Sequence, residues 1–397
     1  MADADFQVRR AVERARRLPH FSRKYGEGAA VAGAQELEGL PPMDKADLAA
    51  CADAVKERAR AEGAGAYVFG SGGTTGTPKL SFISGDFFLD EIVQVWRPLA
   101  RGDVFLNTFA PGKLWSSHYF YNQLAVRLGA ITIPVGSMEG AENDAWSEFA
   151  DDFGVTAIGG TATALGELLA ASERSGRTLL GVTAVLWVGE PLRRQTLELL
   201  RRVTPRAGLW GLYGSTETWV IGFNTPDCEP PVFHVLPYQY VEIDGSRRLS
   251  VTNTHPSCIN PLVRYRVGDL ASRTECGCGR AAAVRLHGRA DAAVKFRGAL
   301  LHADELVDLV CGAGDVENAQ VAMVSGRDGR ERLEIRCLGG TGFDEEAVRA
   351  FVLARSLDLS NLFDDDPEGL RILPVERLET TRRSVKTPTL VHETEDA

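Results

Sequence analysis

Gly208-Leu-Trp-Gly-Leu-Tyr-Gly-Ser-Thr-Glu217 runs an apolar strand straight into a small, hydroxyl-bearing turn that ends on a carboxylate. An apolar run closed by Gly and Ser reads as a buried strand meeting a turn, and open α/β sheets collect ligands at such strand ends. On either side of it strand and helix patterns alternate. The residue pattern predicts strands over 66–69, 103–108, 130–135, 155–158, 182–188 and 207–212, with helices over 86–99, 163–175 and 192–202 between them. Alternation at this spacing predicts layered α/β structure. Residues 1–60, rich in Ala, Arg and Glu, read as helices with a break from Gly39 to Pro42. After Tyr238 strands dominate, over 240–243, 249–252 and 262–266, which predicts a β-rich subdomain. A second unit begins after Gly288, with strands over 292–296, 320–324 and 333–337 and a helix around 345–353. The division falls at Arg289-Ala290-Asp291, giving a large part, residues 1–290, and a small α+β part, residues 291–397.

Upstream, Ser71-Gly-Gly-Thr-Thr-Gly-Thr-Pro-Lys79 packs small and hydroxyl-bearing residues before a Pro-Lys. Gly lets successive backbone N–H groups turn toward one anion, and the Thr hydroxyls and a Lys ammonium add donors and charge. The stretch therefore reads as a phosphate cradle, with ATP the first candidate ligand. It is not the Walker loop, which needs Gly-Lys-Ser/Thr opening a helix. Here a Pro intervenes and Leu80-Ser-Phe-Ile-Ser84 alternates like a strand, so the loop hangs between two strands.

Composition sets outer limits. With 397 residues, 44% hydrophobic and 25% charged, the chain can bury a large core in more than one domain. No apolar run reaches membrane-spanning length and Met1-Ala-Asp-Ala-Asp-Phe6 lacks the regions of a signal peptide, so a cytoplasmic protein is expected. A net charge of −10 gives no electrostatic reason to bind nucleic acid or an anionic membrane. Seven scattered Cys argue against a disulfide framework and leave metal ligation or burial. Cys276-Gly-Cys278 offers two thiolates close together, and Cys228 with His234 completes an S₃N set that suits Zn²⁺. Unligated buried thiols are the alternative. Four protein ligands leave no open position, so such a zinc is structural.

Tyr213-Gly-Ser-Thr-Glu217, Tyr265-Arg-Val-Gly-Asp-Leu270 and Gly288-Arg-Ala-Asp-Ala-Ala-Val-Lys-Phe-Arg-Gly298 follow the first loop in that order. Together the four resemble the core motifs of the adenylate-forming superfamily of acyl-CoA synthetases, adenylation domains and luciferases. Val188-Gly-Glu-Pro-Leu192, Pro261-Leu-Val-Arg-Tyr-Arg266 and Cys276-Gly-Cys-Gly-Arg280 are similar to the short phenylacetate–CoA ligase branch. The resemblance, from about residue 60 to Lys386, implies two layered α/β subdomains plus the β-rich one in an N-terminal adenylation domain, and a mobile C-terminal lid. It implies that Ser71, Gly73, Thr74, Thr75, Gly76 and Lys79 hold the β- and γ-phosphates, although Gly72 stands where the family usually has Ser or Thr. Gly189, Glu190 and Pro191 would line one adenine face and Tyr213 the other, beside Gly214 and Ser215. The Thr216 hydroxyl would meet the α-phosphate, Glu217 ligate Mg²⁺, and Asp269 and Arg289 take the ribose. Asp291 matches the family's hinge, and Lys386 its catalytic Lys on a mobile loop. There Val385 replaces the usual Gly, and Arg382 and Arg383 are rival cations.

The chemistry implied is attack of a carboxylate, or another oxyanion, on the α-phosphate of ATP, a transfer catalysed by positioning and charge stabilisation. Trp115, His118, Tyr119 and Trp219 offer an aromatic wall for a small, flat acid, or else ordinary core. Expected is activation of such an acid as acyl-AMP and its transfer to coenzyme A, which Gly298 mildly favours. Transfer to an amine or a carrier-protein thiol, activation of nitrite for an arylamine, and a silent nucleotide-binding regulator stay open. The expected partner is the small carboxylate, with a homodimer left open.

Overall fold

The computed structural model of the chain describes residues 2–26, 33–63, 65–71, 79–296, 299–326, 331–340, 342–364, 366–380 and 386–394. Strands β1 (Ala66–Ser71) and β2 (Lys79–Ser84) form an antiparallel hairpin in which Ser71 stands opposite Lys79. The Gly- and Thr-rich stretch thus connects two paired strands, as its flanks predict.

The next five strands, β3 (Val104–Asn107), β4 (Ile131–Ile133), β5 (Ala157–Gly160), β6 (Ala184–Val188) and β7 (Gly208–Ser215), lie parallel in the order β4-β3-β5-β6-β7. Short helices cross between them, as parallel pairing requires. Both faces of β5 and β6 are covered, which is why they read as continuous apolar runs. Successive residues serve different cores. Leu106, Ile158 and Val185 pack with the helices Glu142–Asp152, Ala162–Arg174 and Arg194–Val203 on one face. Phe105, Ala157 and Leu186 pack with the hairpin and the helices Leu89–Val95 and Ser117–Leu128 on the other.

Antiparallel pairing takes over at β8 (Trp219–Asn224), followed by β9 (Val232–Val235), β10 (Gln239–Ile243), β11 (Arg248–Asn253), β12 (Tyr265–Thr274) and β13 (Ala283–Arg289). Their spatial order is β7-β8-β9-β13-β12-β11-β10, so one sheet of eleven strands runs through the large part. The β-rich region is therefore no separate sheet. It hydrogen-bonds onto the α/β layer through the β7–β8 and β8–β9 pairs.

A single turn of 3₁₀ helix, Ala290–Ala292, leads out of β13. Beyond it come the hairpin β14 (Ala293–Phe296) and β15 (Ala299–His302), then β16 (Val316–Ser325), β17 (Glu331–Gly339), β18 (Leu370–Val375) and β19 (Leu390–Thr394). The last four form a sheet in the order β18-β17-β16-β19, against which the helix Ala303–Cys311 packs. This part has its own core, drawn wholly from residues between Ala292 and Leu390.

Several elements differ in extent from what the pattern predicts, two of them at left-handed residues. The helix expected over 86–99 is confined to Leu89–Val95, because Phe87 and Phe88 are left-handed and Trp96 is extended. The strand expected over 262–266 starts only at Tyr265, after a left-handed Arg264. Among the described residues no helix is long and apolar enough to cross a membrane.

Candidate functional site

The turn after β7 carries Thr216 and Glu217. It is held shut by Ser215, whose backbone N–H and hydroxyl both pair with the Thr218 hydroxyl at 3.2 and 3.0 Å. Glu217 is only 5% exposed. Its carbonyl accepts from Asn260 Nδ2 at 3.3 Å, while Asn260 Oδ1 accepts from the Phe82 N–H of β2 at 3.1 Å. One buried Asn thus ties the β1–β2 hairpin to the turn that carries Glu217. Nothing in its neighbourhood, Cys258-Ile-Asn260-Pro, marks it in the sequence.

At the end of β7 the Tyr213 hydroxyl donates to Asp269 Oδ2 at 2.6 Å, and Arg289 Nη1 donates to Asp269 Oδ1 at 3.0 Å. Burial and the neighbouring Asp269 charge both push the Tyr213 phenol well above its ordinary range, so it stays a donor. Asp269 and Arg289 are register partners across β12 and β13, which explains how residues from two motifs meet.

Into this corner comes Lys386. Its Nζ lies 4.3 Å from the centroid of the Trp115 ring, within cation–π range. The ammonium passes so close to Gly189 that a methyl group there would lie 2.5 Å from Nζ and 2.8 Å from Cε. Gly189 is left-handed, at φ +87°, a second reason for glycine. Burial lowers the Lys386 pKa to about 8; Glu190 and Asp269 oppose the shift and Arg289 adds to it.

Glu190, read from the sequence as part of an adenine-lining segment, has its side chain engaged elsewhere. Oε2 accepts from the Thr163 N–H at 2.9 Å, and Oε1 accepts from the Thr163 hydroxyl at 3.1 Å and from the Thr387 N–H at 2.8 Å. The Thr163 and Thr387 hydroxyls are themselves 3.2 Å apart. Neither threonine stands out in the sequence. Further contacts join the two parts: Arg193 pairs with Asp308, and Gln195 Nε2 donates to the carbonyls of Cys311 and Val316 at 2.7 and 2.9 Å. Asp304 accepts from the Arg289 N–H at 3.0 Å and from the Thr389 hydroxyl at 2.7 Å.

Of the four aromatic candidates, Trp115 is brought to the ammonium, and its indole N–H is buried without a hydrogen-bond partner among the described residues. Gly70 of β1 donates to the Leu114 carbonyl at 3.0 Å, so the hairpin tip begins beside it. Trp219 is buried, donates to the Phe87 carbonyl at 2.9 Å and stacks on Phe87 and Phe69. His118 pairs through Nδ1 with the Phe109 carbonyl at 2.7 Å and is buried. Tyr119 is half-exposed near Tyr67 and Phe69. Gly73, Thr74, Thr75 and Gly76 lie outside the described residues, as do Gly72, Gly298, Arg382, Arg383, Val385 and the side chains of Ser71, Lys79 and Asp291.

A second constellation sits on the antiparallel half of the sheet. The ligand atoms of Cys228, His234, Cys276 and Cys278 all lie within 4.8 Å of one another. His234 Nδ1 is 2.9 Å from the Ala281 carbonyl, which can only accept, so the proton belongs on Nδ1. The Nε2 lone pair then faces Cys278 Sγ at 3.1 Å. That tautomer, fixed by a carbonyl behind the ring, is the one a metal-binding His needs. Burial raises the Cys278 thiol, but hydrogen bonds from Arg280 and the neighbouring cysteines outweigh it and hold it below the ordinary range. Three sulfurs and one imidazole in this arrangement fit a tetrahedral Zn²⁺. Cys51, Cys258, Cys311 and Cys337 are free and buried.

A family model for AMP-binding enzymes matches residues 10–247. The chain belongs to the AMP-binding enzyme family. Among curated members it is similar to indoleacetate–lysine synthetase of Pseudomonas savastanoi, at 23% identity over 240 residues. That alignment spans 59% of each of the two chains. Among solved structures it is similar to 2-hydroxyisobutyryl-CoA ligase in complex with 2-HIB-AMP in the postadenylation state. The TM-score is 0.71 at 16% identity, over 98% of this chain and 88% of the other. ATP-bound MatB from Rhodopseudomonas palustris matches with a TM-score of 0.61 at 17% identity, over 81% of this chain and 66% of that one. Likeness at these identities speaks for the fold, an AMP-binding enzyme fold with a large N-terminal and a smaller C-terminal part.

Proposed function

We propose that this AMP-binding enzyme activates a small, aromatic carboxylic acid as its acyl-adenylate, releasing pyrophosphate, and then transfers the acyl group to coenzyme A. The observation that carries the reading is the Lys386 ammonium, delivered from the C-terminal part onto Trp115 and Gly189 within the field of Asp269 and Arg289. Adenylation brings two anions together, so a cation held beside the acyl oxygen and the α-phosphate lowers the barrier where charge develops. A long flexible ammonium suits that task. The ring of Trp115 forms one wall for the acid, and its N–H is available to a polar atom of the substrate.

The ribose hydroxyls would be taken by Asp269, whose carboxylate oxygens Tyr213 and Arg289 already hold in place. Glu217, a nearly buried hard oxygen donor that follows Thr216 in the turn, would hold Mg²⁺, an ion that keeps waters and phosphate oxygens for its remaining positions. When bound, the metal neutralises phosphate charge. The loop between β1 and β2 would take the β- and γ-phosphates. Residues 291–397 act as a lid that swings about Asp291 between the two half-reactions, and Cys228, His234, Cys276 and Cys278 hold a structural zinc. Resemblance of the Val188–Leu192 and Cys276–Arg280 segments supports a branch close to phenylacetate–CoA ligases.

A second reading has one specific support: the curated relative is by its name an indoleacetate–lysine synthetase. In that reading the same adenylate is given to an amine. Pyrophosphate release with a panel of aryl, arylacetic and small aliphatic acids, with and without coenzyme A, amines or nitrite, separates them. Acid-dependent release followed by thioester formation is expected. Release consumed only by an amine moves the assignment to the amide ligase, and no release with any acid overturns it.

A further inference from the structure

We infer that Glu190 is the latch that seats the Lys386 loop, a positioning residue that holds the catalytic ammonium in its adenylation pose and lets it go afterwards. The inference deepens the adenylation reading and rests on it for the role of Lys386. Its structural content stands on its own contacts.

Glu190 is gripped from one side by groups of the large part. The Thr163 N–H and hydroxyl lie in the first turn of the helix Ala162–Arg174, where unpaired backbone donors and the helix dipole favour a carboxylate. The anchored carboxylate then reaches across to the N–H of Thr387, the residue next to Lys386. Release of the loop would leave Glu190 paired with Thr163, so no buried charge is stranded when the lid turns. That asymmetry suits a reversible latch better than a permanent strut. The neighbouring residue completes the device: Gly189 has no side chain, and its missing Cβ is the gap through which the Lys386 chain passes. A single dipeptide thus makes room for the ammonium and holds the backbone beside it. Lys386 is also faced by Asp269 and Arg289, which pair with each other at 3.0 Å.

The experiment follows two variants, Glu190→Ala and Glu190→Gln, by amide hydrogen exchange and by half-reaction kinetics. Exchange at the Thr387 amide should accelerate about ten- to a hundredfold in Glu190→Ala, the weight of a hydrogen bond to a charged group, and less in Glu190→Gln, which retains an acceptor. Exchange in β6 should be unchanged, which separates the latch from loss of fold. The turnover number for pyrophosphate exchange should fall by the same factor while KM for ATP stays within about twofold. Consumption of supplied acyl-adenylate should hold or rise. Removing the Glu190 charge should also move the alkaline limb of adenylation to lower pH, because that carboxylate supports the protonated state of Lys386 against burial and Arg289. Unchanged exchange at Thr387, or equal loss of both half-reactions, overturns the latch. Failure of the wild-type chain to release pyrophosphate with any acid overturns the adenylation reading instead, and the hydrogen-exchange comparison still decides whether Glu190 holds the loop.

Discussion

Replacing Gly189 with Ala tests the approach of Lys386 most directly, because the structure gives both sides of the cost. The new methyl carbon would stand 2.5 Å from Nζ and 2.8 Å from Cε, against an ordinary contact of at least 3.4 Å. Since no backbone lies in the way, the ammonium yields, and it must retreat by about 1 Å. A displacement of about 1 Å in a positioned catalytic group costs about a hundredfold in rate. The left-handed backbone adds a separate penalty of roughly 1–2 kcal/mol to stability. Gly176→Ala isolates that second effect: its φ is +68°, and nothing lies within 4 Å of the place its new methyl would take. Both variants should therefore lose similar stability in thermal unfolding. In ATP–pyrophosphate exchange Gly176→Ala should keep its turnover number, and Gly189→Ala should lose about a hundredfold while still consuming supplied acyl-adenylate. Wild-type exchange by a folded Gly189→Ala protein would refute the reasoning, because the ammonium would then not need the place it occupies here.

Other outcomes follow from the same corner and from the cysteine cluster. Glu217→Ala should remain folded and lose about 10²–10³ in adenylation rate, the scale of one electrostatic contact to the transition state; near-normal pyrophosphate release would remove Glu217 from the site. In its proposed role Lys386 must be protonated, and burial lowers its pKa to about 8, so adenylation should decline as pH rises through that value. A rate profile flat to about pH 10 would contradict this. Stripping zinc, or changing Cys278→Ser, should lower the melting temperature, since metal binding energy is folding energy where the unfolded chain has no site. Elemental analysis showing under about a tenth of an equivalent of zinc, with an unchanged melting curve, would leave ordinary thiols and an ordinary imidazole.

What the sequence disclosed and what it withheld divide along the range of the interactions. The turn Tyr213–Glu217 was legible because strand, glycine and hydroxyl residues are contiguous there. The cysteine cluster was legible because few residue types ligate zinc, so chemistry substitutes for proximity. Asn260, Thr163 and Thr387 were not, since an amide or hydroxyl becomes a cross-link only through partners nearly 30 to more than 200 positions away. Glu190 could be read as part of a motif, but the direction of its carboxylate depends on Thr163 and Thr387. The joining of the β-rich strands to the α/β layer was equally hidden, because the β8–β9 and β9–β13 pairs depend on register between segments that look alike in isolation.

The short stretch between Lys386 and β19 has a mechanical consequence. Four peptide units separate Lys386 from Leu390, a tether of about 14 Å at full extension, and Leu390 is already hydrogen-bonded in parallel register beside Val321. The ammonium therefore has little slack of its own. In the proposed lid motion it would travel with the four-stranded sheet, so the orientation of that sheet would largely decide whether positive charge stands at Trp115. On that reading charge would enter and leave the corner with the sheet, and any ligand that fixes the sheet's orientation would also fix which half of the proposed reaction the corner can perform.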